Sequence, residues 1–170
     1  MAAPDLHVEQ FAALVQERAS SDPLVSTRLF GLDLGTKTLG LAVCDSNWSI
    51  ATPLETIRRE KFTKDAERLI HLAVQEKVGG LVMGLPLNMD ESEGPRAQST
   101  RAFVRNLGRL TDLPVLFWDE RLTSEAAIEA MFQAGIAQRR HGELVDQYAA
   151  KIILESCLEP LRQAVGLAER

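Results

Sequence analysis

A chain of 170 residues and 18.8 kDa, 45% apolar and 25% charged, has the length and composition of one domain with a proper core. Its net charge of −5 argues against a protein that coats nucleic acid nonspecifically, because such binding rests on neutralising many phosphates. An enzyme with a local basic rim stays open, and Asp5, Glu9, Glu17 and Asp22 against Arg18 place much of the acidity in an amino-terminal extension. No apolar run reaches membrane-spanning length, and the amino terminus has neither the basic start nor the apolar core of a secretion signal, so a cytoplasmic protein is expected. Cys44 and Cys157 have no metal-ligand or redox spacing and read as inert core residues.

In chain order, Leu6 to Arg18 carries Phe11, Leu14 and Val15 at amphipathic spacing, a short appended helix that Ser20-Ser21-Asp22-Pro23 ends. Leu29 to Cys44 then reads as two strands around a polar turn. Phe30, Leu32, Leu34, Leu39, Leu41 and Val43 make a large apolar face, and Gly31, Asp33, Gly35, Gly40, Ala42 and Cys44 a small-residue face. Ile50 to Ile57 is a third strand, placed at a sheet edge by Pro53. The basic run Arg58, Arg59, Lys61 follows it, an ordinary solvated loop or the border of a phosphate track.

Thr63 to Val78 has helical spacing through Ala66, Leu69, Ile70, Ala73 and Val74, with Thr63 as N-cap and Gly79-Gly80 as the stop. Leu81 to Met83 reads as a strand buried on both faces, and Asn88 to Pro95 as a polar loop at its carboxyl end, where open α/β sheets place ligands. A helix from Pro95 to Leu110 buries Phe103, Val104 and Leu107 and carries the stripe Arg101, Arg105, Arg109. Pro114 to Trp118 is the next strand, delivering Asp119-Glu120-Arg121. Thr123 caps a helix to about Phe132, and after the basic run Gln138 to His141 a last helix spans Glu143 to Leu158, with Pro160 beyond it. Three strands followed by alternating helices and strands give a three-layer α/β fold whose mixed five-stranded sheet is an antiparallel meander leading into parallel strands, flanked by helices.

Asp33 is a carboxylate inside a strand. It loses hydration there and needs a cation, a donor or a substrate to compensate it; the ordinary alternative is an Asx-type cap at a strand end. Glu120 and Asp146 sit where this fold can bring them to the same end of the sheet. Each has an ordinary reading alone, as a surface loop and as a first-turn helix charge. Gathered together, three carboxylates raise one another's pKa unless a hard divalent cation neutralises them, and an oxygen-only set suits Mg²⁺ or Mn²⁺. Ala149 and Ala150 are small enough to let the last helix settle close to the sheet.

Gly-Leu-Asp-Leu-Gly-Thr-Lys-Thr at 31 to 38, Gly-Leu-Pro-Leu-Asn-Met-Asp at 84 to 90, Asp-Glu-Arg-Leu-Thr-Ser at 119 to 124 and Val-Asp-Gln-Tyr-Ala-Ala at 145 to 150 together resemble the YqgF or RuvX family. These are RNase H-like proteins catalogued as Holliday junction resolvases and as nucleases maturing the 5′ end of pre-16S ribosomal RNA. The resemblance implies an RNase H-like nuclease domain over residues 28–159, between an extension at 1–27 and a tail at 160–170. It also implies that Asp33, Glu120 and Asp146 are the catalytic metal ligands. Two departures stand out. Glu91 replaces an expected Gly, and the strand ending near Gly84 lacks the acidic residue of related resolvases, so Glu120 has to reach across the space that Gly84 leaves.

The resulting expectation is a metal-dependent endonuclease acting on structured nucleic acid, an RNA precursor before a DNA junction, and engaging ribosomal assembly intermediates as a monomer or homodimer. Thr36, Lys37 and Arg121 are expected to meet the substrate backbone, with Arg96, Arg139 and Arg140 as candidates more distant in sequence. Few aromatic residues are available for base stacking, so recognition should rest on shape and phosphates. Two rivals remain. The Asp-x-Gly-Thr-x-Thr hairpin also resembles the phosphate loop of the actin, hexokinase and sugar-kinase fold, which needs two domains around a cleft, and a noncatalytic RNA-binding assembly factor fits the same sequence.

Overall fold

The sorting of large and small residues along the first hairpin decides how the layers stack. The structure, a computed structural model, describes residues 5–122 and 143–166. Strands β1 (Leu29–Leu34) and β2 (Thr38–Cys44) form the hairpin, and β3 (Ala51–Arg58) pairs antiparallel with β2 as an edge strand. On the other side of β1, β4 (Gly80–Leu85) and β5 (Val115–Asp119) add in parallel, giving the spatial order β3-β2-β1-β4-β5. The expected mixed sheet is therefore present, with Pro53 on its edge strand β3.

Helices α1 (Val8–Ser21) and α4 (Glu143–Ala164) cover one face of the sheet, and α2 (Phe62–Gln75) and α3 (Pro95–Leu107) the other. The large apolar face of the hairpin packs entirely toward α2 and α3, where Phe30, Leu32, Leu39 and Leu41 meet Leu69, Phe103 and Leu107. The small-residue face looks toward α4. Because Gly31 has no side chain, the α4 backbone lies directly on β1, and a Cβ there would stand 2.6 Å from the Ala150 carbonyl oxygen. Close contact thus comes from glycines in the strands as well as from the small residues of the helix.

Several boundaries differ from the sequence expectation. Helix α2 begins at Phe62 with Lys61 as its cap, not Thr63. The buried Asp65 carboxylate accepts a hydrogen bond from the Glu60 N–H at 3.0 Å and does the tethering expected of the threonine. Lys77, at φ 55°, turns the chain after α2, so Gly79-Gly80 does not stop it. A Cβ at Gly80 would stand 2.8 Å from Phe11 and Val15, so this glycine makes room for α1, whose Phe11, Ala12 and Val15 are fully buried. Helix α1 itself runs through Ser20 and Ser21, and α3 ends three residues early, at Leu107.

Helix α4 passes through Pro160 and continues to Ala164. An interior proline forfeits a backbone hydrogen bond and costs about 3 kcal/mol. Burial of Cys157, Leu158 and Leu161 outweighs it, and Arg162 donates to the Trp48 carbonyl from the last turn. The expected helix Thr123 to Phe132 and the basic run Gln138 to His141 lie outside the described residues. No helix among the described residues is long and apolar enough to cross a membrane.

Candidate active site

Asp33 lies in the central strand opposite Gly40 of β2, and Gly84 of β4 follows the Leu32–Met83 pair on its other side. Gly40, Asp33 and Gly84 therefore form a row across three strands on the face toward α4. Each glycine leaves a space that a carboxylate-bearing residue fills. The first turn of α4 sits on Gly40, where any Cβ would strike the Asp146 carbonyl, and the Asp146 side chain is held by the Thr38 hydroxyl, which donates to Oδ2 at 2.7 Å. Glu120 leaves the end of β5 in a single 3₁₀ turn, Glu120–Leu122, and folds over Gly84. A Cβ there would lie 2.7 Å from its Oε1.

The electrostatics follow from this row. Burial pushes the Asp33 carboxyl up to about 7, with Glu120 and Asp146 adding to the rise and Arg96 opposing it. Glu120 is raised as well, first by burial, with Arg96 pulling down and Asp119 pushing up. Among the described residues no hydrogen bond reaches the Asp33 carboxylate. Its charge has two forms of relief, a proton or a cation. Three oxygen donors around an anion in that condition fit a hard divalent ion such as Mg²⁺ or Mn²⁺. As placed, the three carboxylates flank one another without closing a shell: no group of three acidic, histidine or cysteine side chains among the described residues stands close enough to hold an ion.

The other expected site residues divide. Thr36 and Lys37 lie exposed in the β1–β2 turn. Arg96, a candidate more distant in sequence, opens α3 near Asp33 and Glu120 and donates to the Leu34 carbonyl at 3.5 Å. Arg121 is committed elsewhere. Its guanidinium grips Asp119 at 2.6 Å, reaches Glu91 at 3.6 Å and donates to the Met89 carbonyl, so it pins the 88–91 loop with its charge largely compensated. Glu91 adopts φ 71°, a left-handed turn that glycine would take without strain. Arg101, the first of the expected stripe, is paired with Asp5 at 3.0 Å and Glu93 at 2.5 Å. Arg139 and Arg140 lie outside the described residues. Spacing did not single out Arg59, whose N–H donates to the Lys37 carbonyl at 2.9 Å and whose Nη1 donates to the Gly35 carbonyl at 2.6 Å, clamping the turn after Asp33. Its only trace in the sequence was the short basic run.

The cysteines are core residues, both buried, and desolvation pushes both thiols up.

Comparison with known proteins bears on the family and the fold. A family model described as "RuvX: Holliday junction resolvase" matches residues 27–160. Relatives named "Putative pre-16S rRNA nuclease" include one from Rhodobacter capsulatus, 57% identical over 78% of this chain and 84% of the relative, and one from Ruegeria pomeroyi, 52% identical over 87% and 96%. A third, from Methylocella silvestris, is 48% identical over 96% of both, so it spans the amino-terminal extension too. Among solved structures, Thermus thermophilus RuvC in complex with a Holliday junction substrate superposes with a TM-score of 0.57 at 13% identity, covering 84% of this chain and 98% of that one. That likeness shows the RNase H-like fold of the RuvC type. With a model spanning most of its length and relatives above half identity, the chain belongs to the RuvX family of resolvase-like nucleases.

Proposed function

We propose that the protein is a divalent-metal-dependent endonuclease that matures the 5′ end of pre-16S ribosomal RNA in the cytoplasm, with Asp33, Glu120 and Asp146 as its catalytic carboxylates. The observation that carries the reading is the row Gly40, Asp33, Gly84, in which two absent side chains let two distant carboxylates flank a third. Such crowding is costly for a protein that only needs to fold, and useful for one that must concentrate positive charge where phosphorus is attacked.

The three carboxylates would hold Mg²⁺ or Mn²⁺, which when bound supplies an activated water and stabilises charge on the phosphoryl and leaving oxygens. The chain's own residues do the rest. Thr38 fixes Asp146 through its hydroxyl, Arg96 tempers the negative charge of Asp33 and Glu120, and Arg59 holds the turn that presents Thr36 and Lys37 to the substrate backbone. Arg121 shapes the 88–91 loop. The test is cleavage of a precursor transcript by purified wild type and Asp33→Asn in Mn²⁺. Cleavage by the wild type alone supports the reading, and equal cleavage by both removes it.

A second reading, a resolvase acting on branched DNA, is favoured by the description of the matching family. A four-way DNA junction run in parallel with the transcript separates the two, since the preferred substrate is cut at the lower enzyme concentration.

A further inference from the structure

Just after Asp33 in the chain, Gly35 and Thr36 line a cavity of about 210 Å³ together with Arg59, Pro95, Arg96 and Ser99 among others. We propose that this cavity, between the β1–β2 turn and the start of α3, seats a phosphodiester of the substrate strand adjacent to the one that is cut, gripped by Arg59 and Arg96. The proposal rests on the nuclease reading and adds to it a second phosphate subsite and the residues that form it.

Arg28, Arg68, Arg101 and Arg121 each hold a carboxylate within 3.0 Å. The guanidiniums of Arg59 and Arg96 instead rest on the main-chain carbonyls of Gly35 and Leu34, and among the described residues neither has a carboxylate at ion-pair distance. Arg18 and Arg162 also rest on main-chain carbonyls, but this cavity brings two such arginines to one wall. Among the described residues, no acidic one lines the cavity. Two positive charges therefore line an open space in a protein whose net charge is −5, and one of them, Arg96, is shared with Asp33 and Glu120, whose carboxyls it pulls down. Each guanidinium carries five N–H donors in a planar fork, and the bonds to the turn leave several of them for phosphate oxygens. The hydroxyls of Thr36 and Ser99 add donors.

Position supports the same occupant. The two carbonyls that anchor the arginines belong to the residues directly after Asp33, so a strand with one phosphate at the carboxylates meets the cavity a step further along its backbone. Helix α3 opens there with Gly94 as its cap and, among the described residues, no side-chain cap hydrogen bond, and the positive end of its dipole favours an anion. The subsite would read the backbone without reading sequence, consistent with a chain poor in aromatic residues for base stacking.

The test uses full-length protein carrying Asp33→Asn, so that binding is read without cleavage, with a fluorescein-labelled RNA hairpin bearing a single-stranded flank and a labelled four-way DNA junction as probes. Ser99→Glu, an exposed substitution on α3, places an anion at the cavity while leaving the Arg59 clamp intact; Ser99→Gln is its neutral control. The expected result is roughly tenfold weaker binding for Ser99→Glu than for Ser99→Gln, with the salt dependence shallower by about one unit. A neutral methylphosphonate placed one nucleotide at a time around the cut reads the same contact without altering the protein. At one position it should weaken the parent and leave Ser99→Glu no weaker than before. If the parent binds either probe but both Ser99→Glu and every methylphosphonate leave binding unchanged, the subsite is refuted and the nuclease reading survives. If the wild type cuts neither probe and the parent binds neither, both fall.

Discussion

Replacing Asp33 by Asn removes a charge and almost nothing else, so it isolates the cost of crowding. In the metal-free protein the Asp33 carboxyl titrates at about 7 against an ordinary 3.8, with burial the main cause and the charges of Glu120 and Asp146 contributing. At 1.36 kcal/mol per unit, that displacement corresponds to a folding penalty of roughly 4 kcal/mol when the group is ionised. Water at this partly open site reduces it, so about 2–4 kcal/mol is expected. The sign is fixed by which state holds the proton. Between pH 3.8 and 7 the folded chain binds it more tightly than the unfolded chain, so the wild type loses stability as pH rises through that window and carries the full penalty above it. The amide of the Asp33→Asn variant does not titrate and brings no such dependence. In EDTA at pH 8 the variant should therefore melt roughly 4–12 °C above the wild type, and near pH 4 the two should converge. Mn²⁺ should narrow this gap sharply at neutral pH. At about a hundredfold over its dissociation constant it adds roughly 2.7 kcal/mol to the wild type, and much less to the variant. Circular dichroism melts across pH, with and without Mn²⁺, read both effects. A variant less stable than wild type at pH 8 in EDTA, or a difference that does not change with pH, would show that Asp33 is already satisfied and that no crowded cluster exists.

Other substitutions probe how the row is built. Gly84→Ala places a methyl 2.7 Å from Glu120 Oε1 and 2.6 Å from Ile153 Cδ1, both at the ends of flexible side chains. It should cost less than about 1.5 kcal/mol in urea unfolding yet lower cleavage by roughly a hundredfold, since Glu120 is displaced. Gly40→Ala meets the Asp146 main chain, which cannot swing aside, so a loss of at least about 3 kcal/mol by the same assay is expected together with loss of activity. Phe11→Ala empties a fully buried position between α1 and β4 and should cost about 3–5 kcal/mol with the metal response intact.

The sheet and its two faces were legible because hydrophobic alternation in the hairpin is nearly perfect. Phe30 to Leu34 and Leu39 to Val43 could bury only one way, and the structure places them so. Asp33 was legible as the polar residue that this pattern could not excuse. What escaped was whatever depended on which partner the fold supplies. Thr63 looked like a cap, but Asp65 reaches back to Glu60. Pro160 looked like an end, but Leu161 beyond it is buried deeply enough to carry the helix through. Arg96 sits near Asp33 and Glu120 and Arg121 is occupied by Asp119, and no spacing rule distinguishes two arginines whose roles are set by which carbonyl or carboxylate the fold puts next to them.

The two glycines of the row make different statements about the site. Gly40 admits a helix, and what that helix brings is main chain; Asp146 reaches the cluster because the backbone beneath it can come so near. Gly84 admits a side chain, and here the alternatives exclude one another. A carboxylate borne on β4 at this position would point into the space that Glu120 now fills, since even a methyl there comes within 2.7 Å of its oxygen. A second anion beside Asp33 can thus come from β4 itself or fold over from the end of β5, but not from both. The lack of an acid at the end of β4 is accordingly no gap in the cluster. It is the condition under which Glu120, from the neighbouring strand, takes that place.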